Sequence, residues 1–132
     1  MKITADTNVL VRAMIGDDEE QSALAQAELA AADLVAIALP SLCELVWVLS
    51  RGYKVASDEI AEAIRRLTQA ANVVVNLPAV EAGLALLDAG GDFADGVIAY
   101  EGRWLGGEAF ASFDKKAVMR LAAQGKAARL LA

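Results

Sequence analysis

The chain has 132 residues, 57% of them hydrophobic, and a mean hydropathy of +0.41, enough apolar side chain for one buried core, which excludes a disordered chain. It has no histidine and one cysteine, which excludes zinc sites, disulfide scaffolds, Ser-His-Asp triads and Cys-His nucleophile pairs. Eighteen acids against twelve bases give a net charge of −6, a balance that taken alone argues against a nucleic-acid partner.

Ile3-Thr4-Ala5 reads as a short strand that ends at Asp6-Thr7-Asn8, where a helical turn over Val9 to Ala13 begins. Met1 to Asp6 puts an acid where a signal peptide carries its apolar stretch, so a cytoplasmic location is expected. The acids Asp17 to Glu20 open an Ala-rich helix reaching about Ala32. Leu34 to Ala38 is a continuous apolar run, read as a second strand buried on both faces. Such bursts fall far short of the ~20 residues that cross a bilayer, so no membrane association is expected.

Pro40 suits a first helical position; the helix after it carries the core stripe Leu42, Leu45, Val46 and Leu49 and ends at Gly52. Ser57 is placed to cap the next helix, with Ile60, Ala63, Ile64 and Leu67 inward. Val73 to Val75 reads as a third strand, and Pro78 opens a helix that runs out at Gly90-Gly91. Asp92 caps a helix with Ala94, Val97, Ile98 and Tyr100, ending near Leu105. Glu108 to Phe113 is a fourth strand, Lys115 to Ala123 a short helix, and Ala128 to Leu131 a small edge strand. Strands alternating with helices predict an α/β fold: one three-layer domain over 1–132, with a mainly parallel sheet of about four to five strands flanked by helices.

In an open parallel sheet, ligands bind beyond the carboxyl ends of the strands. Asp6 and Asp114 fall there, and each serves equally as a helix cap. Asp92 and Asp95, three apart at one helix start, share a face. Glu44 sits within Leu42-Cys43-Glu44-Leu45-Val46-Trp47-Val48, and a carboxylate on a helix apolar all round is costly unless paired or bound to metal. Cys43 beside it reads as packing. One crevice could collect all five acids, and setting them aside takes the net charge from −6 to −1. Pooled carboxylates repel unless a divalent cation offsets them. Oxygen ligands point to Mg2+ or Mn2+, and such ions support phosphodiester hydrolysis without histidine.

Four segments in order carry a resemblance that covers nearly the whole chain: Asp6-Thr7-Asn8-Val9-Leu10, Pro40-Ser41-Leu42-Cys43-Glu44-Leu45, Asp92-Phe93-Ala94-Asp95-Gly96-Val97-Ile98-Ala99 and Ser112-Phe113-Asp114-Lys115-Lys116. They resemble the motifs of the PIN-domain ribonucleases, in particular the VapC-type toxins of bacterial toxin–antitoxin pairs. The resemblance implies that Asp6, Glu44, Asp95 and Asp114 are the metal-site and catalytic acids. It makes Asn8, Asp92 and Ser112 secondary members, with Ser112 where the family more often has Thr. Gly96 stands where the family has Ala, a swap expected to be sterically mild. It also implies an RNA substrate, a homodimer and inhibition by a cognate antitoxin protein.

Trp47, Val48 and Tyr53 fit either a partner surface or ordinary core. Arg12, Arg51, Lys54, Arg103, Lys115 and Lys116 are the bases that could meet RNA phosphates, or are simply solvated. The alternative function is a catalytically silent PIN-fold module acting through a protein partner. A phosphoacceptor signalling domain also has acids at strand ends, but wants a mid-chain acceptor Asp and a Lys after the last strand, and neither is found.

Overall fold

The computed structural model describes residues 1–132. The fold is α/β, with five strands and seven α-helices, and every strand pairing is parallel. Where the sequence predicts one sheet, the strands form two, because β4 finds its ladder partner in β5. The chain divides into two compact units, Met1–Asn76 and Leu77–Ala132. No helix is long and apolar enough to cross a membrane.

In the first unit, β1 (Lys2–Thr4), β2 (Leu34–Ala36) and β3 (Val73–Val74) lie side by side in that order, with Ile3 opposite Val35 and Val35 opposite Val73. Parallel neighbours require crossovers. The first is α1 (Thr7–Met14) with α2 (Glu19–Ala31); the second is α3 (Leu39–Trp47) with α4 (Ser57–Gln69). Val35 on the central strand, Leu10 on α1, Leu42 and Leu45 on α3, and Ile60 and Ile64 on α4 are fully buried. Each such side chain contributes about 1.5–3 kcal/mol by leaving water. Asn72 ties β3 to the end of α2, its amide donating to the carbonyls of Leu29 (2.8 Å) and Ala32 (3.0 Å) that the helix leaves open.

The helix predicted to reach Arg51 stops at Trp47 and continues as one wide π-type turn, Val48–Gly52, closed by the Tyr53 N–H on the Val48 carbonyl at 3.2 Å. Gly52 therefore lies inside that turn and is not its cap. Ser57 is the first residue of α4 and Ala56 takes the cap position, so no side chain caps that helix. The Leu34 to Ala38 run is only alternately buried, with Val35 and Ile37 inside and Ala38 exposed.

In the second unit, α5 (Leu77–Asp88) turns through Gly90, at φ +87°, into α6 (Phe93–Trp104); that left-handed backbone favours glycine. β4 (Phe110–Ser112), α7 (Lys115–Ala123) and β5 (Ala128–Leu130) follow, with Phe110 opposite Ala128 and Ser112 opposite Leu130. The inner face of α6 is Phe93, Gly96 and Val97, whereas Ile98 is 54% exposed. Phe93 is fully buried against Gly83 of α5, where an added methyl would stand 2.7 Å from its ring.

Gly96 overturns the expectation of a mild swap. A methyl there would lie 2.5 Å from the Ala82 carbonyl oxygen and 2.8 Å from the Gly83 Cα, both backbone atoms that cannot swing aside. Helix propensity alone favours Ala over Gly by about 0.5–1 kcal/mol; forced overpacking costs about 1–3 kcal/mol. Gly96→Ala is therefore expected to lower stability in urea unfolding. A stabilised variant would show that the α5–α6 approach does not depend on this glycine.

Candidate active site

The acids of the second unit are positioned by helix starts. Asp92 is the N-cap of α6, its Oδ1 accepting from the Ala94 N–H at 3.2 Å. Asp114 is the N-cap of α7, its Oδ1 accepting from the N–H groups of Lys116 (3.0 Å) and Ala117 (3.2 Å). The Ser112 hydroxyl oxygen accepts from the Asp114 N–H at 2.9 Å, which leaves its own proton free to be donated. For Asp92 and Asp114 the capping role is thus real, and each keeps Oδ2 without a hydrogen-bond partner.

Asp95 differs. It lies in the first turn of α6, half-buried, and its carboxylate accepts no hydrogen bond. Burial, then the charge of Asp92, then that of Asp114 push it above the ordinary aspartate value of 3.8. Asp92 and Asp114 therefore both act on Asp95, with burial the largest of the causes.

In the first unit, Asp6 occupies the N-cap position of α1, yet its side chain makes no capping bond. Its carboxylate is exposed and uncommitted, so capping does not account for it. Glu44 on α3 is exposed, and Trp47 one turn on is 63% exposed. The expectation of a helix apolar all round, covered on both sides, is overturned: α3 buries Leu39, Leu42, Leu45 and Val46 and turns Glu44 and Trp47 to solvent. Glu44 has a partner that did not stand out in the sequence. Thr7, 6% exposed, donates its hydroxyl to Glu44 Oε2 across a long 3.4 Å. The available signal was helical spacing, since Thr7 shares the inner face of α1 with Leu10 and Val11.

Asn8 is exposed, and no hydrogen bond joins it to Asp6. Of the candidate bases, Arg12 is engaged, its Nη1 3.0 Å from Asp17 Oδ1. Tyr53 donates to the other oxygen of Asp17 at 2.9 Å. That hydrogen bond, and with less weight Arg12, holds Asp17 below its ordinary value. Tyr53 thus ties the turn after α3 to the α1–α2 loop, and Trp47 is surface. Arg51, Lys115 and Lys116 are exposed and outside any ion pair; Lys54, also exposed, has φ +57°.

As an environment for a divalent cation, the donors fit in kind: carboxylate oxygens with free lone pairs and no competing nitrogen or sulfur ligand. The structure holds no group of three or more His, Cys, Asp or Glu side chains placed to hold a metal ion. Magnesium is compatible with that, since it is commonly held by one or two carboxylates plus waters and phosphate oxygens, without an all-protein cage.

Because Asp95 is raised above 3.8, the folded chain binds its proton more tightly than the unfolded chain. Its contribution to stability is full below 3.8 and is lost as pH rises through the raised folded value. Asp95→Asn removes that loss. In metal-free buffer at neutral pH the variant is expected to melt above the wild type, with the difference closing below about pH 3.8. A variant that melts at or below the wild-type temperature at neutral pH contradicts the assigned environment.

A family model for the PIN domain matches residues 3–123. No curated protein matches the chain. The family match covers all five candidate acids and runs through both compact units. The chain belongs to the PIN-domain family, whose members are generally nucleases.

Proposed function

We propose that the chain is a Mg2+- or Mn2+-dependent endoribonuclease, the toxin of a toxin–antitoxin pair, acting in the cytoplasm as a homodimer and inhibited by a cognate antitoxin protein. The observation that carries the catalytic part is Asp95: a half-buried carboxylate without a hydrogen-bond partner, in the field of Asp92 and Asp114. That field draws a cation, and a chain without histidine offers it oxygen ligands, which suit a hard one.

The acids proposed to act are Asp6 and Glu44 of the first unit and Asp95 and Asp114 of the second, with Asn8, Asp92 and Ser112 in support. A divalent ion, when bound, would supply an activated water and charge neutralisation at the phosphodiester. The chain's own groups supply the rest. Asp6 and Asp95 offer uncommitted carboxylates. Asp114 is fixed through Oδ1 by two backbone N–H groups and presents Oδ2, while Thr7 steadies Glu44 through Oε2 and leaves Oε1 open. The Ser112 hydroxyl, anchored by the Asp114 N–H, is free to donate to a substrate or water oxygen. Arg51, Lys115 and Lys116, exposed and unpaired, are available to RNA phosphates; Arg12 would first have to release Asp17.

Asp6→Ala and Asp95→Asn are each expected to lower manganese-dependent RNA cleavage by about 10²-fold or more, with both variants folded, and excess chelator to abolish wild-type cleavage. Undiminished cleavage by either variant, or full activity in chelator, would sink the mechanism. No wild-type cleavage across a broad RNA panel would favour the silent binding module.

Asp114 separates capping from catalysis. Asn caps as well as Asp, whereas loss of the cap to Ala costs about 1 kcal/mol. Asp114→Asn should therefore keep its stability and lose cleavage; Asp114→Ala should lose both. For the toxin role, induced expression of the wild type should arrest bacterial growth and Asp6→Ala should not; equal arrest, or none from either, counts against it.

A further inference from the structure

The second unit contains a cavity of about 360 Å3 that neither the acids nor the proposed chemistry uses. It is walled by α5, α6 and α7, by the start of β4 and by the segment between α7 and β5, with Ala82, Ala99, Phe110 and Leu121 among its apolar lining. Ligand pockets occupy about 300–1,000 Å3 and combine an apolar interior with a few convergent polar groups. This one has the same make-up. Arg103, Lys126 and Glu108 stand on its lining, all three exposed and none in an ion pair or hydrogen bond. Two cations against one carboxylate leave a positive excess. The Gln124 amide is engaged with the Ala85 carbonyl at 3.1 Å, which leaves the Tyr100 hydroxyl as the free neutral donor among these groups. Tyr100 and Arg103 also border a second hollow beside the exposed Trp104.

The cavity reaches Gly96, next to Asp95, but its charged groups stand apart from the acids. It lies at the start of β4, whereas Asp114 follows the carboxyl end of that strand. On α6, Asp95 is in the first turn and Arg103 in the last, about 12 Å apart along the axis.

We propose that this cavity binds a small amphipathic anion: an aromatic or aliphatic carboxylate whose apolar body fills the interior and whose head meets Arg103 and Lys126. Arginine's planar fork suits a carboxylate, and a charge-assisted pair at the mouth of an apolar cavity orients the guest.

The test is calorimetric titration of the full chain with 2-naphthoate, using neutral 2-naphthamide as the control. Saturable binding of one naphthoate per chain is expected, about tenfold or more tighter than the amide. The Arg103→Gln/Lys126→Gln variant, altered only at exposed positions, should lose that difference, and Ala99→Leu, once shown to be folded, should bind neither. No saturable binding, equal binding of naphthoate and amide, or an undisturbed naphthoate affinity in either variant would overturn the proposal. So would displacement of naphthoate by a short RNA at comparable concentration, which would assign the two cations to nucleic acid.

Discussion

The proposed chemistry depends on one unfavourable interaction, the half-buried Asp95 carboxylate held in the field of Asp92 and Asp114. A surface acid escapes such a field by moving away or by hydrating. Here two of the three acids are not free to move, because each caps a helix through Oδ1. The repulsion is therefore built in by the starts of α6 and α7. A protein retains an uncompensated acid at a cost in stability when function uses it, and a site of this kind is a reasonable place to look for cation chemistry.

Packing fixes where that carboxylate stands. Phe93, two residues before Asp95, is fully buried against Gly83, and Gly96, directly after it, meets the Ala82–Gly83 backbone too closely for a side chain. Between these contacts the first turn of α6 cannot rotate freely, so its direction is set by helix–helix contact and not by the acids. Likewise, Thr7 is buried with Leu10 and Val11 on the inner face of α1, and from there its hydroxyl reaches Glu44. In both units, core-facing residues beside the acids hold them in place.

Much of this was legible in the sequence, for identifiable reasons. Val73-Val74 follows from a β-branched run and the capped starts of α6 and α7 from Asp caps, which are local signals. Asp95, with the small or apolar Gly96, Ile98 and Ala99 close to it in sequence, is half-buried, although Ile98 itself faces out. Where tertiary packing decides, the sequence was mute or misleading. Glu44 read as covered because Trp47 and Val48 are apolar, yet Trp47 is solvent-exposed. The π-type turn depends on a shift of the hydrogen-bond register that no residue type announces; Gly96 looked replaceable because its neighbour is another helix's backbone, which no local pattern records. The pairing of β4 with β5, in a sheet distinct from that of β1 to β3, is likewise a non-local choice.

The most direct test of the central claim is a side-chain carboxyl NMR titration of Asp95 with and without Mg2+. Without the ion, the account predicts titration above the ordinary 3.8, and with saturating Mg2+ a shift to below it, since a bound cation favours the ionised form. An Asp95 that titrates at 3.8 without the ion, or whose raised value Mg2+ leaves unchanged, would contradict it.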